Sequence, residues 1–195
     1  MKKDIKKYFD NLKSLLDKVI VTDSNGKKMD FYEAIGMTAA LLIERCKSGH
    51  KVMIIGNGAS ASISSHMATD LWKNARVKAT AFNDASSLTS ISNDYGYKFV
   101  FEKPIEMFAN SGDVLFAISS SGKSENILRG VNMAKSKDCH VVTFSGFRED
   151  NSLRALGKIN FYVPVSEYGP VEVMHHAICH CIVDFIIKNR NRKYK

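Results

Sequence analysis

Apolar residues at Ile5, Tyr8, Phe9, Leu12, Leu15, Leu16 and Val19 recur at three- and four-residue steps, which predicts an amphipathic helix over residues 4–21. Ser24-Asn25-Gly26 reads as a turn. A second helix is predicted from about Asp30 to Cys46, with Phe31, Ala34, Ile35, Ala39, Leu42 and Ile43 on one face. Beyond it the pattern changes to short, uniformly apolar runs at 51–56, 78–82, 113–118 and 140–144, with a weaker one at 160–164. Such runs fit strands covered on both faces. Helical patterns separate them at 85–92, 98–108, 125–135 and 151–156, with a Ser- and Ala-rich helix near 60–73 and a long final helix from about Gly169 to Lys188. Strands alternating with helices predict an α/β domain, an open parallel sheet with helices on both faces. The two leading helices, residues 1–49, are expected to cap the sheet or to pack against another subunit. One domain over 1–195 is expected, with the α/β core at 50–189 and a basic tail at 190–195.

Ligands of an open parallel sheet sit beyond the carboxyl ends of its strands. The first core strand is followed by Gly56-Asn57-Gly58-Ala59-Ser60-Ala61-Ser62, and the third by Ser119-Ser120-Ser121-Gly122-Lys123-Ser124-Glu125-Asn126. Small residues and hydroxyls opening a helix either cap it or cradle an anion on its unpaired N–H groups. Four serines in six positions exceed what one cap needs, which favours the anion. Neither loop carries the third glycine of a dinucleotide fingerprint or the Gly-Lys-Ser/Thr of a P-loop, so a small phosphorylated ligand is expected.

His66 and Asp70 share a face of the helix after the first core strand, and Glu172, His176 and His180 follow one another at four-residue steps on the last helix. Imidazole and carboxylate at these spacings serve as ligands of a zinc-like ion or as an acid–base pair. For His66 and Asp70 alone, a surface hydrogen bond is the simpler account. The last helix is mostly apolar around its histidines, so they should be buried and in need of partners. Cys179 and Cys181 point to different sides of that helix and read as small core residues. The loop Ser92–Tyr97 offers hydroxyl, amide and carboxylate groups, either for a turn or for recognising a polyol.

The net charge of +8 suggests a polyanion partner until it is located. Residues 1–7 carry a net +3 and residues 188–195 carry +5, leaving residues 8–187 with 19 basic and 19 acidic side chains. The folded body is neutral, so nucleic-acid binding is not expected. Met1–Lys7 lacks the apolar core of a secretory signal, and no run approaches the ~20 apolar residues of a membrane span. Four unevenly spaced cysteines fit free thiols in a reducing compartment, and the expected location is the cytoplasm.

Taken together, Gly56–Ser62 with His66 behind it, Leu88-Thr89-Ser90-Ile91-Ser92-Asn93-Asp94-Tyr95-Gly96-Tyr97, and Gly112-Asp113-Val114-Leu115 leading to Ile118–Ser124 resemble the sugar isomerase (SIS) fold. Within it they resemble the phosphoheptose isomerase group, over nearly the whole chain. The resemblance implies a flavodoxin-like three-layer sheet and conversion of sedoheptulose 7-phosphate to a heptose 7-phosphate for lipopolysaccharide or capsule. It implies substrate contacts from Asn57, Gly58, Ala59, Ser60, Asp70, Asn93, Asp94, Ser119, Ser120, Ser121, Ser124 and Glu172. It also implies zinc on His66, Asp70, Glu172 and His180, catalysis by Asp70 and His180, and a homotetramer with active sites shared between subunits. The chain departs from the group's pattern at two ligands: Asp70 stands where the group usually has Glu, and Glu172 where it has Gln. The shorter Asp loses about 1.5 Å of reach. The residues before Glu172, Glu167-Tyr168-Gly169-Pro170-Val171, also differ. Two rival readings are a non-catalytic SIS protein that binds a phosphosugar or a protein, and an enzyme acting on another sugar phosphate.

Overall fold

The apolar runs form the middle of one seven-stranded sheet in the computed structural model, which describes residues 1–192. In chain order the elements are α1 (Lys2–Leu15), β1 (Ile20–Asp23), β2 (Lys28–Met29), α2 (Phe31–Lys47), β3 (Val52–Gly56), α3 (Ala59–Lys73), β4 (Ala79–Ala81), α4 (Ala85–Asp94), α5 (Glu102–Phe108), β5 (Val114–Ser119), α6 (Glu125–Ser136), β6 (His140–Ser145), β7 (Ile159–Tyr162) and α7 (Tyr168–Arg192). The sheet order is β2-β1-β7-β6-β5-β3-β4. Its five core strands, β3 to β7, are parallel and stand in the doubly wound flavodoxin-type order.

Several expectations need correction. The predicted helix over 4–21 ends at Leu15, passes through a single 3-10 turn, and gives way to β1, which pairs antiparallel with β2 and β7. The sheet is therefore mixed. The β-branched residues Ile20, Val21 and Thr22 prefer an extended, half-buried surface, and the Asp23 carboxylate closes the hairpin by accepting the Asn25 and Lys27 amides at 2.8 and 2.9 Å. Residues 151–156 form only a short 3-10 turn, and the pattern at 98–108 divides into a 3-10 turn and α5. Finally, α7 continues through Arg192, so residues 190–192 extend the helix; the rest of the expected basic tail, 193–195, lies outside the described residues.

Alternate residues of each core strand feed two apolar layers. Val52, Ile54, Phe116, Ile118 and Phe144 pack with α2, α3 and α7; Met53, Ile55, Leu115, Ala117 and Val141 pack with α5 and α6. Each fully buried Ile, Leu or Phe contributes about 1.5–3 kcal/mol relative to exposure. By length and composition α7 could span a bilayer. Its apolar stripe, Val171, Met174, Ile178, Ile182 and Ile186, is instead spent on the core of this domain. α2 caps the sheet, whereas α1 buries only Leu15 and leaves Ile5, Tyr8 and Phe9 exposed.

Candidate active site

The chain leaves β3 for β4 on one side of the sheet and returns to β5 on the other, so the loops after β3 and β5 flank a crevice at the switch point. A cleft of about 230 Å³ opens there. Asn57, Gly58, Ala59 and Ser60 line one wall, Ser119, Ser120, Ser121 and Ser124 another, and Tyr168 and Glu172 the mouth of α7. Among the described residues, neither lysine nor arginine lines it. Ser124 occupies the N-cap position of α6, yet its side chain makes no capping bond; its hydroxyl lies 3.3 Å from the Ser119 hydroxyl instead. The Ser120 hydroxyl oxygen is buried without a hydrogen-bond partner. Gly58, at the N-cap of α3, offers no side chain, so no side-chain cap covers the first turn of that helix either. Two uncapped helix starts and a row of hydroxyls suit an oxyanion.

Asn57 is held by a reciprocal amide pair with buried Asn126, 2.9 Å in each direction, and its oxygen also accepts the Tyr97 hydroxyl at 3.0 Å. Asn126, Tyr97 and Tyr168 lie in segments that the sequence marks, but none of them was assigned a role of its own there. Asn93 and Asp94 sit exposed at the end of α4, bonded to each other at 2.9 Å and outside the cleft. Tyr97 links their segment to it through its hydroxyl on Asn57.

Below the cleft, packing of α3 on α7 brings the two polar stripes together. The Asp70 carboxylate lies 3.4 Å from His66 Nε2 and 3.8 Å from His180 Nδ1, and it accepts the Asn74 amide at 2.9 Å. His176 joins them: one ring nitrogen from each of His66, His176 and His180 lies within 4.8 Å of the others. The rings sit 4.6–5.5 Å apart centre to centre. Burial, then the neighbouring His180 and His66, lowers the His176 pKa against the opposing pull of Asp70, which favours the neutral, ligating form. Its Nε2 is buried without a partner. Three imidazoles, one with an orphaned nitrogen, and an adjacent carboxylate fit a zinc-type ion by donor chemistry. Glu172 does not join this group; it lines the serine cleft one turn above His176.

The expectation that the last helix buries its histidines holds only for His175, which is fully buried and shares a hydrogen with the Ser145 carbonyl at 3.0 Å. His176 and His180 are partly exposed on the polar stripe. The two cysteines differ as well. Cys179 is in the core, its thiol pushed up to about 12 by burial, but Cys181 is exposed, because adjacent odd positions on a helix point about 200° apart.

A doubly wound sheet with hydroxyl-rich loops at its switch point is the arrangement of the SIS domain, and residues 7–146 match that family, to which the chain belongs. Among its members the similarity is to phosphoheptose isomerases. That of Helicobacter hepaticus is 39% identical over 159 residues, 78% of this chain and 81% of the relative. That of Yersinia pestis is 33% identical over 188 residues, 93% and 97% of the two chains. The solved structure of phosphoheptose isomerase GmhA from Neisseria gonorrhoeae superposes with a TM-score of 0.83 at 27% identity, covering 95% of this chain and 98% of that one.

Proposed function

We propose that the chain isomerises sedoheptulose 7-phosphate to D-glycero-D-manno-heptose 7-phosphate, as a cytoplasmic homotetramer supplying heptose for lipopolysaccharide or capsule. The observation that carries the reading is the shared path of α3 and α7. Both helices start at the serine cleft and run down to the imidazole–carboxylate group. Ser60 precedes His66 by about 9 Å of helix rise, and Glu172 precedes His180 by about 12 Å. An extended seven-carbon phosphate spans that interval.

Ser119, Ser120, Ser121 and Ser124 hold the phosphate with the uncapped starts of α3 and α6. This remote binding energy orients the first two carbons of the ketose against Asp70 and His180. Asp70 takes a proton from the carbon beside the carbonyl, while His180 protonates the carbonyl oxygen, which yields an enediol. The carbon-bound proton then returns to the neighbouring carbon and the terminal hydroxyl gives up its own, which leaves the aldose. The ion implied by the family would sit on the imidazoles beside Asp70 and would supply Lewis acidity to the substrate oxygens. Asn57, fixed by Asn126 and Tyr97, and Glu172 face the middle of the sugar. Asn93 and Asp94 reach a substrate only if it projects beyond the cleft or toward a neighbouring subunit.

The test is product analysis on a panel of five- to seven-carbon sugar phosphates. Aldose formation from sedoheptulose 7-phosphate is the expected result. Tight binding of the ketose with no turnover of any member of the panel would replace this reading with that of a phosphosugar-binding protein.

A further inference from the structure

We infer that the ion in this chain is held by three imidazoles, His66, His176 and His180, and that Glu172 is not a ligand but a wall of the substrate cleft. The inference rests on the isomerase reading for its purpose, not for its geometry. Three observations converge on it. The ring nitrogens of these histidines already lie within 4.8 Å of one another, whereas Glu172 belongs to no such group. In a tetrahedral site with metal–nitrogen distances of about 2.0–2.1 Å, ligand nitrogens stand about 3.4 Å apart, so side-chain rotations that bring them together by roughly an ångström complete it. His176 Nε2 is buried with no hydrogen-bond partner. A buried ring nitrogen without a partner is costly in either tautomer, and a cation bound through that atom removes the cost. The third observation is where Glu172 goes: it lines the serine cleft with Tyr168 and Ser60.

This arrangement also resolves a conflict in the expected ligand set. A carboxylate bound to a metal is a weak base. With three imidazoles holding the ion, Asp70 need not ligate. It sits 3.4 and 3.8 Å from two of those histidines, oriented by the Asn74 amide, and its short side chain keeps it beside the ion without being consumed by it. Glu172 is then free to accept hydrogen bonds from sugar hydroxyls.

Metal binding to the chelator-stripped protein tests the ligand set without turnover. Co²⁺ serves as the spectroscopic probe and Zn²⁺ affinity is read by competition with a chromophoric chelator. The full chain should take one ion. His176→Ala should weaken Zn²⁺ binding by about 100-fold or more, beyond the range of outer-shell losses, and shift the Co²⁺ absorption bands. His176→Gln, which preserves volume, should do the same if the alanine variant fails to fold. Glu172→Ala, which removes the donor altogether, should leave both affinity and spectrum as in the parent while raising KM for the sugar phosphate. Parent-like metal binding in the folded His176 variants, or weakened binding in Glu172→Ala, would overturn the inference, as would a parent chain that takes up neither ion. In all of these cases turnover of sedoheptulose 7-phosphate would leave the isomerase reading intact. Conversely, a three-imidazole site in a chain that turns over nothing would remove that reading and keep this one.

Discussion

Asp70 and His180 come from helices more than a hundred residues apart in sequence and meet at 3.8 Å. If they are base and acid, Asp70→Asn and His180→Ala each lower kcat for sedoheptulose 7-phosphate by about 10²–10⁴-fold. Near-parental rates in both variants would remove the assignment. His175, one position from the ligand stripe, behaves differently. Burial drives its pKa down to about 4, so it is neutral in the folded protein while the unfolded chain titrates near 6.5. The unfolded state binds the extra proton between these values, so stability is full above about pH 6.5 and falls as pH drops toward 4, by about 3 kcal/mol in all. Denaturant unfolding of the metal-free protein across this range should show that slope, and His175→Gln should flatten it. At this scale His66, Asp70 and the serines were legible from the sequence, because spacing and position after a strand reveal them. His176 was legible too, as part of the four-residue stripe of the last helix, but the roles of Asn126 and Tyr168 were not, since they depend on what faces them across a helix or loop.

Among the elements, the serine loop after β5 is the one whose shape is most tightly imposed from outside. Gly122 has φ +61, its amide bonds to Ser119 O at 3.0 Å, and its carbonyl accepts the Leu153 amide at 3.0 Å. A Cβ there would run into the Asn151 side-chain oxygen, which accepts the Arg154 amide. Gly122→Ala should cost about 1–3 kcal/mol through strain and overpacking. It should raise KM for the phosphorylated substrate more than it lowers kcat, a split that steady-state kinetics reads directly. The parallel strands were readable because full burial makes them uniformly apolar. The β1–β2 hairpin was not, because Val19 continues the helical step of α1 and hides the β-branched Ile20-Val21-Thr22 behind it.

For the molecule as a whole, α1 is the unfinished surface. Ile5 and Phe9 are 53% and 55% exposed, and Tyr8 and Leu16 extend the same apolar stripe. The proposed homotetramer covers it. Phe9→Glu should then dissociate the assembly, as read by sedimentation or light scattering, and reduce turnover if a neighbouring subunit completes the site. An unchanged mass would place the interface elsewhere. The sequence by itself determined the strand–helix alternation, the two hydroxyl loops and the polar stripes of α3 and α7, because each is written in local periodicity and in the residue types that open a helix. Only the tertiary structure decided which donors share one point in space, bringing His66, His176 and His180 together and lining the serine cleft with Glu172. Helical spacing fixes the direction of a side chain on its own helix, but the depth at which α3 and α7 pack is set by the whole apolar layer between them.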